Sequence, residues 1–197
     1  MQALYEKHPV RVSVAGSAES ISHITAETLY ACHKAFYDPS NMVLCVAGDV
    51  DPEKICQAAR EILPERPGAP VARGDYGAQE PAEVCQPMIQ REMEVSVPLF
   101  QLGFKGEAAP EGEGALRQQL LGELACEALL GNSGPLYARL YREGLVNRNF
   151  SYGYESYPGC AFLCAGGESK DPEGVRAAVA AEAERIAREG IDPELWE

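Results

Sequence analysis

The spacing of apolar positions changes several times along the chain, and each change predicts an element. Val10, Val12 and Val14 alternate with polar residues, the two-residue period of a short extended segment, and Ala15-Gly16-Ser17 can turn the chain after them. Beyond residue 25 the spacing becomes helical. Leu29, Cys32 or His33, and Phe36 share one face, Ser22 and Thr25 are candidate N-caps, and Glu27 stands in the first turn, where a carboxylate meets free amides. Asp38-Pro39-Ser40-Asn41 ends this helix, because proline cannot donate the helical hydrogen bond. Met42 to Ala47 is a continuous apolar run of strand length, which predicts a buried strand. Asp51 then caps a helix with Pro52 at its first position and Ile55, Ala58, Ala59 and Ile62 as its inward stripe.

From Pro64 to Pro81 the pattern lapses into proline, glycine and charge, the composition of an interdomain linker. It resumes with alternation over Glu92–Val97 and a strand continuing through Leu99–Phe104. Ala115–Leu130 is a strongly helical stretch, with Leu116, Leu120, Leu124 and Ala128 repeating every four residues and Leu121, Ala125 and Leu129 widening the face. So broad an apolar face predicts a central helix. Gly131-Asn132-Ser133-Gly134-Pro135 breaks it, Leu136–Arg142 resumes helically, and Gly144 caps. Residues 150–155 and 160–165 read as antiparallel strands around Tyr157-Pro158-Gly159, and Asp171-Pro172-Glu173 opens a last helix carrying Val175, Val179, Ala183 and Ile186. A strand, a glycine, aspartate-proline-glutamate and a helix thus occur twice, at 42–62 and 161–186. Strands segregated from long helices predict an α+β fold, with antiparallel sheets and helices packed on one face. The expected division is 1–66, a linker over 67–81, and 82–197.

Composition narrows the partners. The 197 residues carry a formal net charge of −13, which would repel a nucleic-acid backbone or an anionic membrane; neither is expected as a partner. Seven cysteines, an odd number with no CxxC pair, favour a reduced, cytoplasmic protein, with Cys32, Cys45, Cys56 and Cys126 expected in the core. No apolar run is long enough to span a bilayer.

Candidate chemistry is sparse. A hydrolytic zinc needs about three protein ligands and an open position. The chain has only His8, His23 and His33, with neither His-Glu-x-x-His nor His-x-x-Glu-His. His8 reads as a turn or packing residue, His33 as half-buried structure, and His23 as surface at a helix start. No catalytic residue, metal ligand or cofactor is expected in this chain. There is no Gly-x-Ser-x-Gly elbow, no Walker motif and no dinucleotide fingerprint. What remains is the loop Gly131-Asn132-Ser133-Gly134, which is either a helix end and turn or a groove lining that offers backbone amides to an extended ligand. Arg142 is either a partner for a peptide carbonyl or half of an ion pair with a nearby glutamate. Phe150, Tyr152, Tyr154 and Tyr157 are either sheet packing or a ligand platform.

Ordered short motifs carry a resemblance. Leu4-Tyr5-x-x-His8-Pro9, Gly16-Ser17-x-Glu19-Ser20-Ile21, Ile24-Thr25, Phe36-Tyr37-x-Pro39-Ser40-Asn41-Met42 and Gly48-Asp49-Val50-Asp51-Pro52-Glu53 together resemble the insulinase/pitrilysin family of inverted-motif zinc peptidases, near its bacterial processing-protease branch. Gly103-Phe104-Lys105, Leu130 to Tyr137 with Leu140, Arg142-Glu143-Gly144-Leu145 and Phe150-Ser151 resemble the next homologous domain of that family. The resemblance implies parts of two homologous domains: the end of a catalytic-type domain over 1–66 and the beginning of a non-catalytic one over 82–197. It places His-x-x-Glu-His and the further zinc-ligating glutamate ahead of His8-Pro9, so zinc is expected in a full-length parent and not here. It implies a fragment of a zinc-dependent metalloendopeptidase, inactive alone, that contributes scaffold and chamber wall; the alternative is a free-standing non-catalytic subunit or peptide-binding module. The implied partners are a peptide or unfolded polypeptide and the missing parts of the same protein or a homologous subunit. The implied substrate-binding positions are Gly131, Asn132, Ser133, Arg142 and Phe150. Phe150 stands where the family has a tyrosine, after an apparent insertion at Val146-Asn147-Arg148-Asn149.

Overall fold

In a computed structural model, residues 1–63 and 80–192 are described. They fall into two units, one formed by 1–12 with 80–192 and the other by 13–63. Of the expected linker, only Glu80 and Pro81 lie within the described residues.

The larger unit is built on a hairpin. Strand β2 (Ser151–Tyr157) and strand β3 (Cys160–Glu168) are joined by Pro158 and Gly159, whose fixed and positive φ respectively (83° at Gly159) suit the two central positions of a type II turn. Strand β1 (Leu99–Gly106) pairs antiparallel with the other side of β3, from Leu99 opposite Glu168 to Gly106 opposite Ala161, giving the order β1-β3-β2. The expected alternation over Glu92–Val97 forms no strand; pairing begins only at Leu99.

Helices α4 (Glu113–Leu130), α5 (Pro135–Arg142) and α6 (Pro172–Glu189) cover one face of the sheet. Their core is Cys126 and Leu130 of α4, Leu136 and Leu140 of α5, and Val175 and Val179 of α6, packed against Phe150, Leu163 and Ala165. Asp171 caps α6 by accepting from the Gly174 amide at 2.9 Å. The α4 leucines behave differently from expectation. Leu116, Leu120, Leu121 and Leu124 are exposed, and the helix turns its Gln118, Gly122 and Cys126 side inward. Gly122 lies so close to the Tyr154 ring that a Cβ would collide with it, so the small residue and not the leucine stripe sets which face meets β2.

Residues 1–12 lie on the opposite face of β3, where Leu4 and Tyr5 bury Cys160 and Phe162. The sequence pattern had grouped these residues with 13–66. The expected extended segment Val10–Val14 forms no strand; it begins within a 3-10 turn, Pro9–Arg11, capped by His8.

The unit 13–63 contains α1 (Ala18–Ser22), capped by Ser17, α2 (Ala26–Phe36), capped by Thr25, and α3 (Pro52–Ile62), capped by Asp51. Ser22, expected as a cap, instead ends α1. No residue of this unit is buried. The expected buried strand Met42–Ala47 is not one: no strand is formed, and Val43 is 93% exposed. A strand needs neighbours to satisfy its backbone and a layer to receive its side chains, and no described residue supplies either. For the same reason Cys32, Cys45 and Cys56, expected in a core, are exposed, while Cys126 is buried as expected. His33 is exposed too, its ring stacked on Tyr37 at 4.8 Å.

Candidate functional site

The site positions cluster around α5. Helix α4 stops at Gly131, whose amide donates to the Glu127 carbonyl at 2.8 Å, and a Cβ at Gly131 would collide with that same carbonyl. Glycine is required there by this close approach. The Gly134 amide then donates to the Gly131 carbonyl at 2.8 Å, closing a turn that leaves Asn132 and Ser133 exposed. Pro135 starts α5 without any side chain capping its first turn, and the Ala138 amide donates to the Gly134 carbonyl at 3.1 Å. Leu136 and Leu140 anchor α5 in the core.

That anchoring turns the arginines outward. Arg142 is exposed and makes no hydrogen bond or ion pair among the described residues; the glutamate pairing considered for it does not occur there. Arg142 and the 131–134 loop stand at opposite ends of an eight-residue helix, roughly 12 Å apart along its axis. Arg139 lines an open cleft of about 310 Å³ with Leu136, Glu182 and Arg185.

Phe150 is placed elsewhere. Its ring is 6% exposed and packs against Phe100, Tyr137 and Tyr152 at centroid distances of 6.4, 6.0 and 6.3 Å. The stretch that looked inserted explains why. Asn147 donates from Nδ2 to Glu168 at 2.6 Å, and its Oδ1 accepts from the Asn149 amide at 2.8 Å; this tight turn delivers Phe150 into the core. Phe150 is thus buried in the packing, Gly131 is buried as well with its amide and carbonyl both bonded, and Asn132, Ser133 and Arg142 are exposed.

Tyr152, expected as either sheet packing or part of a ligand platform, makes a polar contact that neither alternative includes. The Tyr152 hydroxyl donates to Glu127 Oε2 at 2.9 Å, beside the Gly131 turn. Burial and the Glu127 carboxylate both push its pKa up, so it stays a neutral donor. The period-two spacing of Phe150, Tyr152 and Tyr154 was the available signal, since it puts all three on the helix-covered face. Gln118 reaches the Tyr154 hydroxyl at 3.0 Å, at the edge of a second cleft of about 480 Å³ lined by Pro110, Arg117 and Leu121.

The donor set does not fit a zinc ion. His8 Nε2 donates to the Pro158 carbonyl at 2.9 Å while Nδ1 accepts from the Val10 amide at 3.1 Å; His23 holds the Glu19 carbonyl at 2.8 Å. Among the described residues, no three histidine, cysteine or carboxylate side chains come together as a metal cluster. No helix among them is long and apolar enough to cross a membrane.

The chain is 35% identical over 177 residues to an uncharacterized zinc protease, YmfH, of Bacillus subtilis, covering 88% of this chain and 41% of that protein. A putative M16-like peptidase from Alicyclobacillus acidocaldarius superposes with a TM-score of 0.81 at 29% identity, over 98% of this chain and 46% of the other. A peptidase M16 inactive domain from Pseudomonas fluorescens shares the fold, with a TM-score of 0.71 at 18% identity. The chain therefore spans less than half the length of these proteins. The model of the peptidase M16 inactive domain matches residues 23–197, and the chain belongs to that family.

Proposed function

We propose that the chain is a non-catalytic part of a zinc-dependent metalloendopeptidase, inactive alone, that forms scaffold and a wall of the chamber enclosing the substrate. In this reading the stretch up to residue 66 ends a catalytic-type domain, 67–81 links, and 82–197 begins the non-catalytic one. Zinc belongs to the parent protein, the partner is a peptide or unfolded polypeptide together with the rest of the protein or a homologous subunit, and the setting is cytoplasmic.

The observation that carries the reading is the exposed Arg142, unpaired among the described residues, at one end of a helix whose other end carries the exposed Asn132 and Ser133. The exposed Asn132 and Ser133 side chains can donate to peptide carbonyls, and the Arg142 guanidinium can clamp another farther along the strand. A fluorescently labelled, unstructured peptide titrated with the chain is expected to bind without being cleaved. A charge-assisted hydrogen bond contributes about 1.5–3 kcal/mol, so Arg142→Ala should weaken binding by roughly tenfold or more. Cleavage by the isolated chain, or affinity unchanged by Arg142→Ala, would overturn the proposal.

A further inference from the structure

A heavily bonded carboxylate among the described residues lies on the sheet face opposite the helices and serves no role in the proposed function. Glu80 lies in the expected linker, where it is the first described residue, and its side chain is 5% exposed. Its Oε1 accepts from the Glu6 amide at 2.9 Å, and its Oε2 from the Lys7 and His8 amides, both at 2.8 Å. The Lys105 ammonium, 7% exposed, completes the set at 2.7 Å from Oε1. Lys105 also donates to the Pro81 and Glu83 carbonyls at 2.6 and 3.0 Å and lies 4.7 Å from the centre of the Tyr5 ring. A buried carboxylate and a buried ammonium are tolerable only when each is satisfied in this way.

These contacts hold down a segment that is otherwise fixed by a small apolar cluster and a few hydrogen bonds. Residues 1–12 form no strand, and their contribution to the core is Leu4 and Tyr5 with His8 beside them. Leu4 occupies the space a side chain at Gly103 would fill, with Cδ1 2.7 Å from the position of a Cβ. The Tyr5 hydroxyl donates to the Ala161 carbonyl at 2.8 Å. Beneath them Cys160 is 1% exposed, whereas Cys126, equally hidden, belongs to the separate core between helices and sheet.

We infer that residues 1–12 are a strap latched by Glu80 and Lys105, which opens and closes over the Phe162 face of the sheet while the helix-covered core stays folded. Three features assign it. The strap's core is its own small cluster, distinct from the main one. Its backbone is tied to residues outside the strands, through Cys85 to Leu4 and Gln86 to Ala3. Its three consecutive amides depend on one carboxylate, so a single change releases them together. Segments with few buried side chains and a separable set of bonds open at lower free energy than the fold as a whole. Because Glu6–His8 and Glu80 flank the 13–63 unit in sequence, the latch also holds together the two points from which that unit departs.

Thiol alkylation with N-ethylmaleimide, resolved by peptide mass spectrometry under native conditions, tests this. Glu80→Gln keeps the shape and removes the charge. Loss of charge-assisted bonds at a buried site should make Cys160 react roughly tenfold faster or more, while Cys126 keeps its rate. An unchanged Cys160 rate in the folded variant, or equal acceleration of both thiols, would overturn the latch. Should Glu80→Gln not fold, the unaltered chain answers in graded urea. Cys160 should become reactive at a lower concentration than Cys126, and coincident curves would overturn the inference.

Discussion

The same local pattern has opposite fates in the two units. In the larger one, β3 runs into Asp171-Pro172-Glu173 and α6; the strand is paired on both sides, and Val175 and Val179 are fully buried. In the smaller one, Met42–Ala47 runs through Gly48 into Asp51-Pro52-Glu53 and α3, and nothing is buried. Both aspartates cap their helices, so the local instructions are obeyed equally. What differs is the presence of a second layer. Caps and prolines decide where a helix starts, but burial needs another surface to face.

The contrast can be broken most severely in the buried copy. Val179→Asp places an unpaired charge at a fully buried position and should cost more than about 4 kcal/mol, whereas Val43→Asp should stay within about 0.5 kcal/mol. Urea denaturation followed by circular dichroism measures both. A comparable loss at Val43 would mean that the apolar run is sheltered in solution. Next in size is the pair Leu140→Ala and Leu120→Ala. The first empties a core position at about 2–5 kcal/mol, and the second, on the outward face of α4, should change stability by less than about 0.5 kcal/mol.

A pH titration should sharpen the comparison further. Burial alone would raise the Glu80 carboxyl, but Lys105 and the amides of Glu6, Lys7 and His8 outweigh it and bring it down to about 2. A depressed folded-state pKa stabilises above the unfolded value and is lost as pH falls through the folded one. The hydrogen-exchange protection of the Glu6, Lys7 and His8 amides should therefore fall between about pH 5 and pH 2, and Glu80→Gln should flatten that limb. The smallest effects belong to the caps. Asp171→Ala should cost about 1 kcal/mol of global stability, and Asp51→Ala should lower only the helicity of α3. Loss of global stability in the second variant would show that α3 is coupled to the core.

How much was legible follows the same division. The helices from Pro52, Pro135 and Pro172 and the hairpin at Tyr157-Pro158-Gly159 were readable because their signals are local. The orientation of α4 was not. Its leucines formed the most apolar stripe, yet Gly122 had to approach Tyr154, a contact 32 residues away in sequence that periodicity cannot register. In the candidate site, the Gly131–Gly134 turn and Arg142 could be named from residue type. Phe150 could not be placed, because its burial depends on Asn147 reaching Glu168 across the sheet end. Glu80 was invisible for a related reason: an isolated glutamate in a charged stretch looks like any other until its three amides come from residues 6–8.

The strand order β1-β3-β2 has a kinetic consequence. β2 and β3 meet across a two-residue turn, at small loop-closure cost, whereas β1 reaches β3 only after α4, α5 and β2 have been crossed. Long-range pairing of this kind slows folding. The hairpin is therefore the natural early structure and β1 the late arrival. The face that Leu4 occupies at Gly103 exists only once β1 has docked, so the first residues of the chain are among the last to find their place.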